Sequence, residues 1–482
     1  MVKYRMQKQE SIKKNYIYNT IYKLLTIITP LITAPYISRV LGADNIGVYS
    51  YTNSIATYFT LFATLGTASY GQREIAMHRN SQEESSKLFW EIELLSVFTT
   101  LIALFFWMLW IIISKQYTTY YLILSMTVLA VLFDISWYFA GFEKFKYIVI
   151  RNSVVRLLGI ILLFVFIKNK NDTLLYVALI AATGLLGNIS MWCYLPKMLV
   201  KINYKELHPF KKHLKQTFMY FIPTIATSVY TVLDKTMIGI ITKSSDENGF
   251  YEQATKIIKM FQSLIFSLNT VMTSRQSYLF SIGKINEIKD KIEKSFNYLF
   301  TLSIPLMFGL IAVSQNFVPW FFGNGYDPVV KILWAMSPLP FIITISNILG
   351  SQYLTPSGQR VRSTKGIIIG AIVNVGLNII LIPKFHAIGA SIASVIAELV
   401  ISIIYVYMSR TVISWRQIFK TAWKKCLASC IMFFAIFFIP KFLLNSILIT
   451  ILQFIVGIIV YILVLLILQD SIINEIKKYI KK

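Results

Sequence analysis

Apolar runs long enough to cross a bilayer recur along the whole chain, and the gaps between them leave no room for a folded soluble domain. A helical crossing takes about 20 residues. Runs of that order are predicted at 16–40, 46–70, 88–114, 119–141, 148–167, 173–195, 217–242, 254–280, 296–318, 329–354, 366–383, 389–408, 425–440 and 446–468. In lipid each must be a helix, because an isolated strand would leave backbone groups unpaired. A closed β-barrel would show short alternating segments instead, and these runs do not alternate. The predicted fold class is therefore an all-α polytopic membrane protein of about 14 transmembrane helices, counted from spans of this length.

The charges fit that reading. Of the 482 residues 56% are hydrophobic and only 14% charged, too few to coat a soluble protein of this size. The net charge of +25 would suggest nucleic acid in a soluble protein, but its placement does not. Lysine and arginine concentrate on alternate loops, which puts both termini in the cytoplasm by the positive-inside rule and sets these residues against anionic lipid. No nucleic-acid partner is expected; the lipid bilayer is. The basic N-terminus (Lys3, Arg5, Lys8) precedes a run too long for a signal-peptide core, read here as a retained span. The longest basic loop, 196–216, carries Lys197, Lys201, Lys205, Lys211, Lys212 and Lys215, and a second lies near Arg410 and Arg416. These loops divide the chain into a cytoplasmic tail (1–15), an N-lobe (16–195), a basic cytoplasmic linker (196–216), a C-lobe (217–410) and an accessory helix pair with a cytoplasmic tail (411–482). The two lobes are expected to have six helices each around a central cavity.

An internal repeat supports two lobes. Setting Gly47 on Gly249 places Tyr49 on Tyr251, Ile55 on Ile257, Phe59 on Phe261 and Arg73 on Arg275. Both segments follow a predicted outside turn rich in Gly, Asp and Asn. Six spans separate them, so they run in the same direction, as in transporters built from parallel repeats.

Charges inside spans cost about 2.5–3.5 kcal/mol each on insertion scales and call for a reason. Lys23, Asp134, Arg156, Asp234, Lys235, Lys256, Lys259, Arg275, Lys331 and Glu398 are such residues; those near span ends can snorkel. Tyr220, Thr224, Thr227, Thr231 and Asp234 share one helical face, as do Asn19, Lys23, Thr26 and Thr33. Milder stripes run through Ser54, Thr57 and Thr64, and through Lys256, Lys259, Ser263 and Thr270. Polar stripes can join helices, but lysines in them point to a water-filled cavity. The candidate substrate-binding residues of a cationic cavity are Lys23, Arg73, Lys235, Lys256, Lys259 and Arg275. Arginine grips phosphate oxygens in pairs and lysine acts as a mobile point charge, so an anionic ligand is expected. Asp234 and Glu398 are the candidate carboxylates for ion coupling. Pro30 and Pro223 are candidate bending points, and Gly366 and Gly370 a close-packing face.

Other chemistry is unsupported. No Walker sequence is present, so ATP hydrolysis is not expected, and no catalytic triad or carboxylate pair suggests an enzyme. Cys193, Cys426 and Cys430 form no metal-binding spacing, and His78, His208, His213 and His386 fall in predicted loops. No cofactor or metal is expected.

The motifs R-V-L-G-A-D-N-I-G-V-Y-S-Y (Arg39–Tyr51), L-G-T-A-S-Y-G-Q-R-E-I-A (Leu65–Ala76), W-Y-F-A-G-F-E-K-F (Trp137–Phe145) and Q-Y-L-T-P-S-G-Q (Gln352–Gln359) resemble those of the polysaccharide-repeat-unit flippases, the Wzx family. That family belongs to the multidrug/oligosaccharidyl-lipid/polysaccharide exporter superfamily. The resemblance implies movement of an undecaprenyl-diphosphate-linked oligosaccharide across the cytoplasmic membrane, for capsule, exopolysaccharide or O-antigen, with a polysaccharide polymerase and a chain-length regulator as partners. It also implies a cationic cavity holding the diphosphate. Competing readings are a multidrug/cation antiporter of the same superfamily, which would want an acidic cavity, a flippase for the peptidoglycan lipid precursor, and a membrane glycosyltransferase or polymerase, which would want larger outside loops.

Overall fold

The computed structural model describes residues 12–203, 207–439 and 446–473, and these are helical apart from short connections. The helices are α1 (Ile12–Thr64), α2 (Thr67–His78), α3 (Gln82–Ile113), α4 (Thr118–Leu129), α5 (Ser136–Gly141), α6 (Phe145–Phe166), α7 (Thr173–Met191), α8 (Pro209–Thr242), α9 (Ser245–Ser281), α10 (Ile285–Phe322), α11 (Pro328–Met336), α12 (Leu339–Ile348), α13 (Arg360–Ser409), α14 (Trp415–Phe437) and α15 (Ser446–Ile467). Among the described residues nine helical stretches are long and apolar enough to cross a membrane. The first of these and α13 each hold two predicted spans, while α8, α9 and α14 overlie others.

Burial runs opposite to that of a soluble protein. On α15, Leu448, Phe454, Ile458 and Ile467 face outward while Gln453 is fully buried. Asn374, Asn378, Ser391 and Thr344 are likewise buried. Such a surface is stable against lipid, where inward polar groups find partners that hydrocarbon cannot supply.

Local chemistry places the breaks. Instead of the turn expected around residues 41–46, α1 runs on with one non-helical residue, Gly42, at φ 79°. Only glycine adopts that region at little cost, so Asp44 and Asn45 stay helical. α13 breaks in the same manner at His386 (φ 52°), and the carboxylate of Glu247 accepts the freed backbone N–H of Ala387 at 3.0 Å. A left-handed pair, Leu65 and Gly66, separates α1 from α2. Ser81 caps α3 through the N–H of Glu84 at 3.2 Å, with Glu83 and Glu84 in the first turn. Asp134 has extended backbone between a 3-10 turn and α5, so the fourth predicted span is broken. The assignment of the histidines to loops is corrected: His78 ends α2 and His213 lies inside α8, fully buried. α1 remains helical through Pro30, and α8 through Pro223.

The chain packs into two compact units, taken over their described residues: Met1–Thr33 with Tyr49–Val232, and Ala34–Val48 with Leu233–Lys482. In the second unit, Gly366 and Gly370 admit Tyr405 and Ile401 from the returning half of α13, the close-packing face expected of them. α14 and α15 pack on α10: Tyr461 bonds the Thr301 carbonyl at 3.0 Å, and Trp320 donates to Thr450 at 2.8 Å.

Candidate functional site

In the second unit, Asp234 is the centre of a buried polar network. α8 brings the carboxylate, 2% exposed, against α9 and both halves of α13. Its Oδ2 accepts from the Tyr251 hydroxyl at 2.5 Å and from the Ser394 hydroxyl, and its Oδ1 from Asn378 Nδ2 at 2.6 Å. Asn378 Nδ2 also donates to Asn374 Oδ1 at 3.1 Å, while Asn378 Oδ1 has no hydrogen-bond partner among the described residues. Two hydroxyls and one amide thus donate to a single buried carboxylate. One turn beyond Ser394 on the same face of α13 lies Glu398, 5% exposed, whose Oε2 accepts from Ser346 at 3.4 Å.

The next residue on α8 opens a different cluster. Lys235 Nζ lies 2.5 Å from Glu252 Oε2, and Lys256 Nζ lies 3.8 Å from Glu252 Oε1. Lys259 follows one turn later on α9 and acts on the same carboxylate. One glutamate offsets part of the charge of these lysines, so the cluster keeps a positive excess. Glu252 lies just before the apolar run predicted at 254–280, so spacing within that run does not reveal it as a partner.

The Arg39–Tyr51 stretch fastens this unit. Arg39 donates to the Trp320 carbonyl near the end of α10. Ser38 accepts from Gln253 at 2.6 Å, and its carbonyl accepts from Tyr326 at 3.1 Å. Ser245 donates to Asp44. The two glycines aligned by the internal repeat meet each other. A Cβ on Gly47 would stand 1.7 Å from the Ser245 carbonyl oxygen and 2.9 Å from the Gly249 nitrogen; one on Gly249 would stand 2.0 Å from the Ala43 carbonyl oxygen. The same alignment pairs Ala43 with Ser245, so each segment presents its glycine to its counterpart's equivalent residue. That exchange is the mark of a local two-fold contact.

In the first unit two of the motifs pack on each other. Trp137 fills the space over Gly71, and Ile75 that over Gly141. Beside them runs a buried chain: the Tyr70 hydroxyl is 2.7 Å from His213 Nδ1, and His213 Nε2 is 2.7 Å from Glu91 Oε2. The His208 backbone N–H donates to Glu91 Oε1 at 3.1 Å. A neutral imidazole with its proton on Nε2 satisfies both neighbours. This chain ties the end of the linker to α2 and α3. Arg73, on the outer face of α2, is 53% exposed at its side chain and 3.8 Å from Glu74.

The comparisons with known proteins agree with this architecture. Residues 12–273 match the model of a family described as polysaccharide biosynthesis protein. The chain belongs to that family. Its relatives are membrane transporters, and its fold is that of solved members of the multidrug/oligosaccharidyl-lipid/polysaccharide exporter superfamily. An Escherichia coli K12 family relative, provisionally named an O-antigen transporter, is 25% identical over 410 residues, covering 81% of this chain and 95% of its own. A Haloferax volcanii protein, provisionally named a flippase of low-salt glycan biosynthesis, is 25% identical over 252 residues, 49% of this chain and 52% of its own. Among solved structures, the lipid II flippase MurJ in an inward closed conformation superposes with a TM-score of 0.73 at 18% identity, over 96% of this chain and 100% of that one. An inward-facing multidrug transporter of the MATE family gives 0.65 at 14%, over 84% and 99%.

Within this family member, Lys235, Lys256 and Lys259 come together, and Asp234 lies next to them in sequence but in its own network. Arg73 belongs to the first unit, and the lysine cluster to the second. Lys23 lies on α1 and Arg275 on α9; their side chains are outside the described residues. Among the described residues no group of His, Cys, Asp and Glu could hold a metal ion.

Proposed function

We propose that this transporter flips undecaprenyl-diphosphate-linked oligosaccharide repeat units from the inner to the outer leaflet of the cytoplasmic membrane, for capsule, exopolysaccharide or O-antigen assembly. The observation that carries the reading is the lysine cluster around Glu252, a positive excess set among apolar helices where a diphosphate could be held. The names of the Escherichia coli and Haloferax volcanii relatives support the substrate class. Binding residues are Lys23, Arg73, Lys235, Lys256, Lys259 and Arg275 in a cationic cavity that opens by alternating access. Asp234 and Glu398 couple the movement to an ion. Both termini lie in the cytoplasm, and the flipped unit passes to a polymerase and a chain-length regulator.

Deleting the gene tests this. The expected result is loss of surface polysaccharide with lipid-linked repeat units accumulating on the cytoplasmic leaflet. Repeat units that still reach the outer leaflet at the normal rate, in a strain with no second flippase, would overturn it. A second reading has one observation in its favour: the fold follows that of the lipid II flippase along its whole length. Rescue of cells depleted of their own lipid II flippase would favour that reading, since the same diphosphate chemistry would serve both.

A further inference from the structure

Glu93 is the buried carboxyl that the flipping site leaves unused. It lies on α3, 2% exposed, and neither of its oxygens has a hydrogen-bond partner among the described residues. Glu91, two positions earlier, points about 200° away round the helix and is fully engaged by His213 and the His208 N–H. Of these two buried carboxyls on α3, Glu93 is the unpartnered one among the described residues. An ionised carboxylate in such a place costs several kcal/mol, about what neutralisation would recover.

Its surroundings sharpen the case. Among the described residues, Asp134 is the titratable neighbour that acts on Glu93. Asp134 lies at the break before α5, where its Oδ1 accepts the Ser136 N–H at 3.0 Å. Arg151, on α6, faces Asp134 in turn and donates to Asn188 Oδ1 at 2.6 Å. Glu93 is therefore left as an unpartnered acid beside a second carboxyl, on which Arg151 also acts. One turn earlier on the same face, Phe89 is enclosed by Trp90, Trp137, Tyr138 and Trp192, with the Trp137 ring stacked at 5.7 Å. This aromatic collar shuts the acid off from water on that side.

We propose that Glu93 is a proton-binding site of the first unit, which takes a proton from water on one side of the membrane and returns it to water on the other as the unit changes conformation. The carboxylate gains one proton on loading and loses it on release; no other bond changes. As a drive for flipping, this rests on the proposed function, but the protonation itself does not. A purely structural acid here would be served as well by glutamine, so the substitution separates the two.

The test uses the full chain in lipid nanodiscs and infrared spectroscopy. The native protein at neutral pH should show a carboxyl C=O stretch that shifts in D2O and is lost in Glu93→Gln. Should Glu93→Gln fail to fold, Glu93→Asp serves, because its carboxyl stretch should appear at a changed frequency. A spectrum unchanged by these substitutions overturns the proposal. In inverted membrane vesicles, an imposed pH gradient should accelerate repeat-unit translocation by the native protein, and Glu93→Gln should lose that acceleration. Acceleration retained in Glu93→Gln overturns the coupling role. Absence of any translocation, with the infrared band present, counts against the flippase reading and leaves the proton site standing.

Discussion

Lys235 and Lys256 share one carboxylate, so removing either changes more than a charge. Without Lys235, Glu252 is left with Lys256 at 3.8 Å, and its negative charge then opposes an incoming anion. We expect Lys235→Ala and Lys256→Ala each to weaken binding of undecaprenyl diphosphate in nanodiscs about tenfold, the loss of one charge-assisted contact. The effect should shrink as salt rises; an unchanged Kd would remove these lysines from the site. Asp234 gives a second expectation. Its oxygens accept from Tyr251, Ser394 and Asn378, so Asp234→Asn would set an amide N–H against donors. If this network holds a monovalent cation, raising that cation in place of choline should stabilise the native protein by about 1–3 kcal/mol and leave Asp234→Asn unaffected. Equal thermal shifts in the two would dismiss the ion site. Asp234 could be found in the sequence because it interrupts an apolar run on a polar stripe. Its partners could not, because Asn378 and Ser394 look like ordinary helix-joining residues until α13 folds back. Glu91, Glu93 and His213 were not legible for another reason: acids near the start of the predicted run 88–114 read as interfacial, and a histidine beside a basic loop reads as solvated.

At the level of helices, the crossing of Gly47 with Gly249 bears most on assembly. Small residues let helix backbones approach in lipid, where no hydrophobic drive brings helices together. A side chain on Gly249 would strike the Ala43 carbonyl, part of a backbone that cannot swing aside. Gly47→Val and Gly249→Val should therefore each cost about 1–3 kcal/mol or more through overpacking, read as a lower melting temperature and a lower monodisperse yield in detergent. Gly159→Val and Gly184→Val are the controls, since nothing lies within 4 Å of a Cβ at either. Matching losses at all of these positions would mean that valine harms these helices in general and that the crossing has no special role. The repeat alignment singled out both glycines from spacing alone. It did not say that they touch, because a repeat specifies equivalence and not contact. The helix boundaries were legible as apolar runs. The breaks at Gly42 and His386 fall in the gaps between the predicted runs 16–40 and 46–70 and between 366–383 and 389–408; their form was not legible, since a chain can reverse through one left-handed residue where composition suggests a loop.

Among the described residues of the whole molecule, many large apolar side chains are exposed while the Lys425–Asp470 ion pair is buried. The Lys425 ammonium, fully buried on α14, lies 3.1 Å from Asp470 Oδ2 and 2.7 Å from Asn297 Oδ1 on α10. Asp470 in turn accepts the Ile472 N–H at 3.0 Å, so the end of α15 is bound to α14 and α10 together. A buried pair of this kind adds little net stability, because desolvation cancels most of the attraction, yet breaking it is costly. Asp470→Ala should destabilise the protein by about 3–5 kcal/mol, since it leaves an ammonium with no counter-charge in a dry interior. The double variant Lys425→Met with Asp470→Leu should recover most of that loss, because it removes both charges and fills the space with carbon. Thermal unfolding of the two variants in the same detergent decides the matter. If the single variant is as stable as the native chain, water reaches Lys425 and the clamp is not a dry one. If the double variant is as unstable as the single, the pair fixes how α14 and α15 seat on α10 rather than merely cancelling its own charges. In that case this contact helps set the register of the accessory helices on α10.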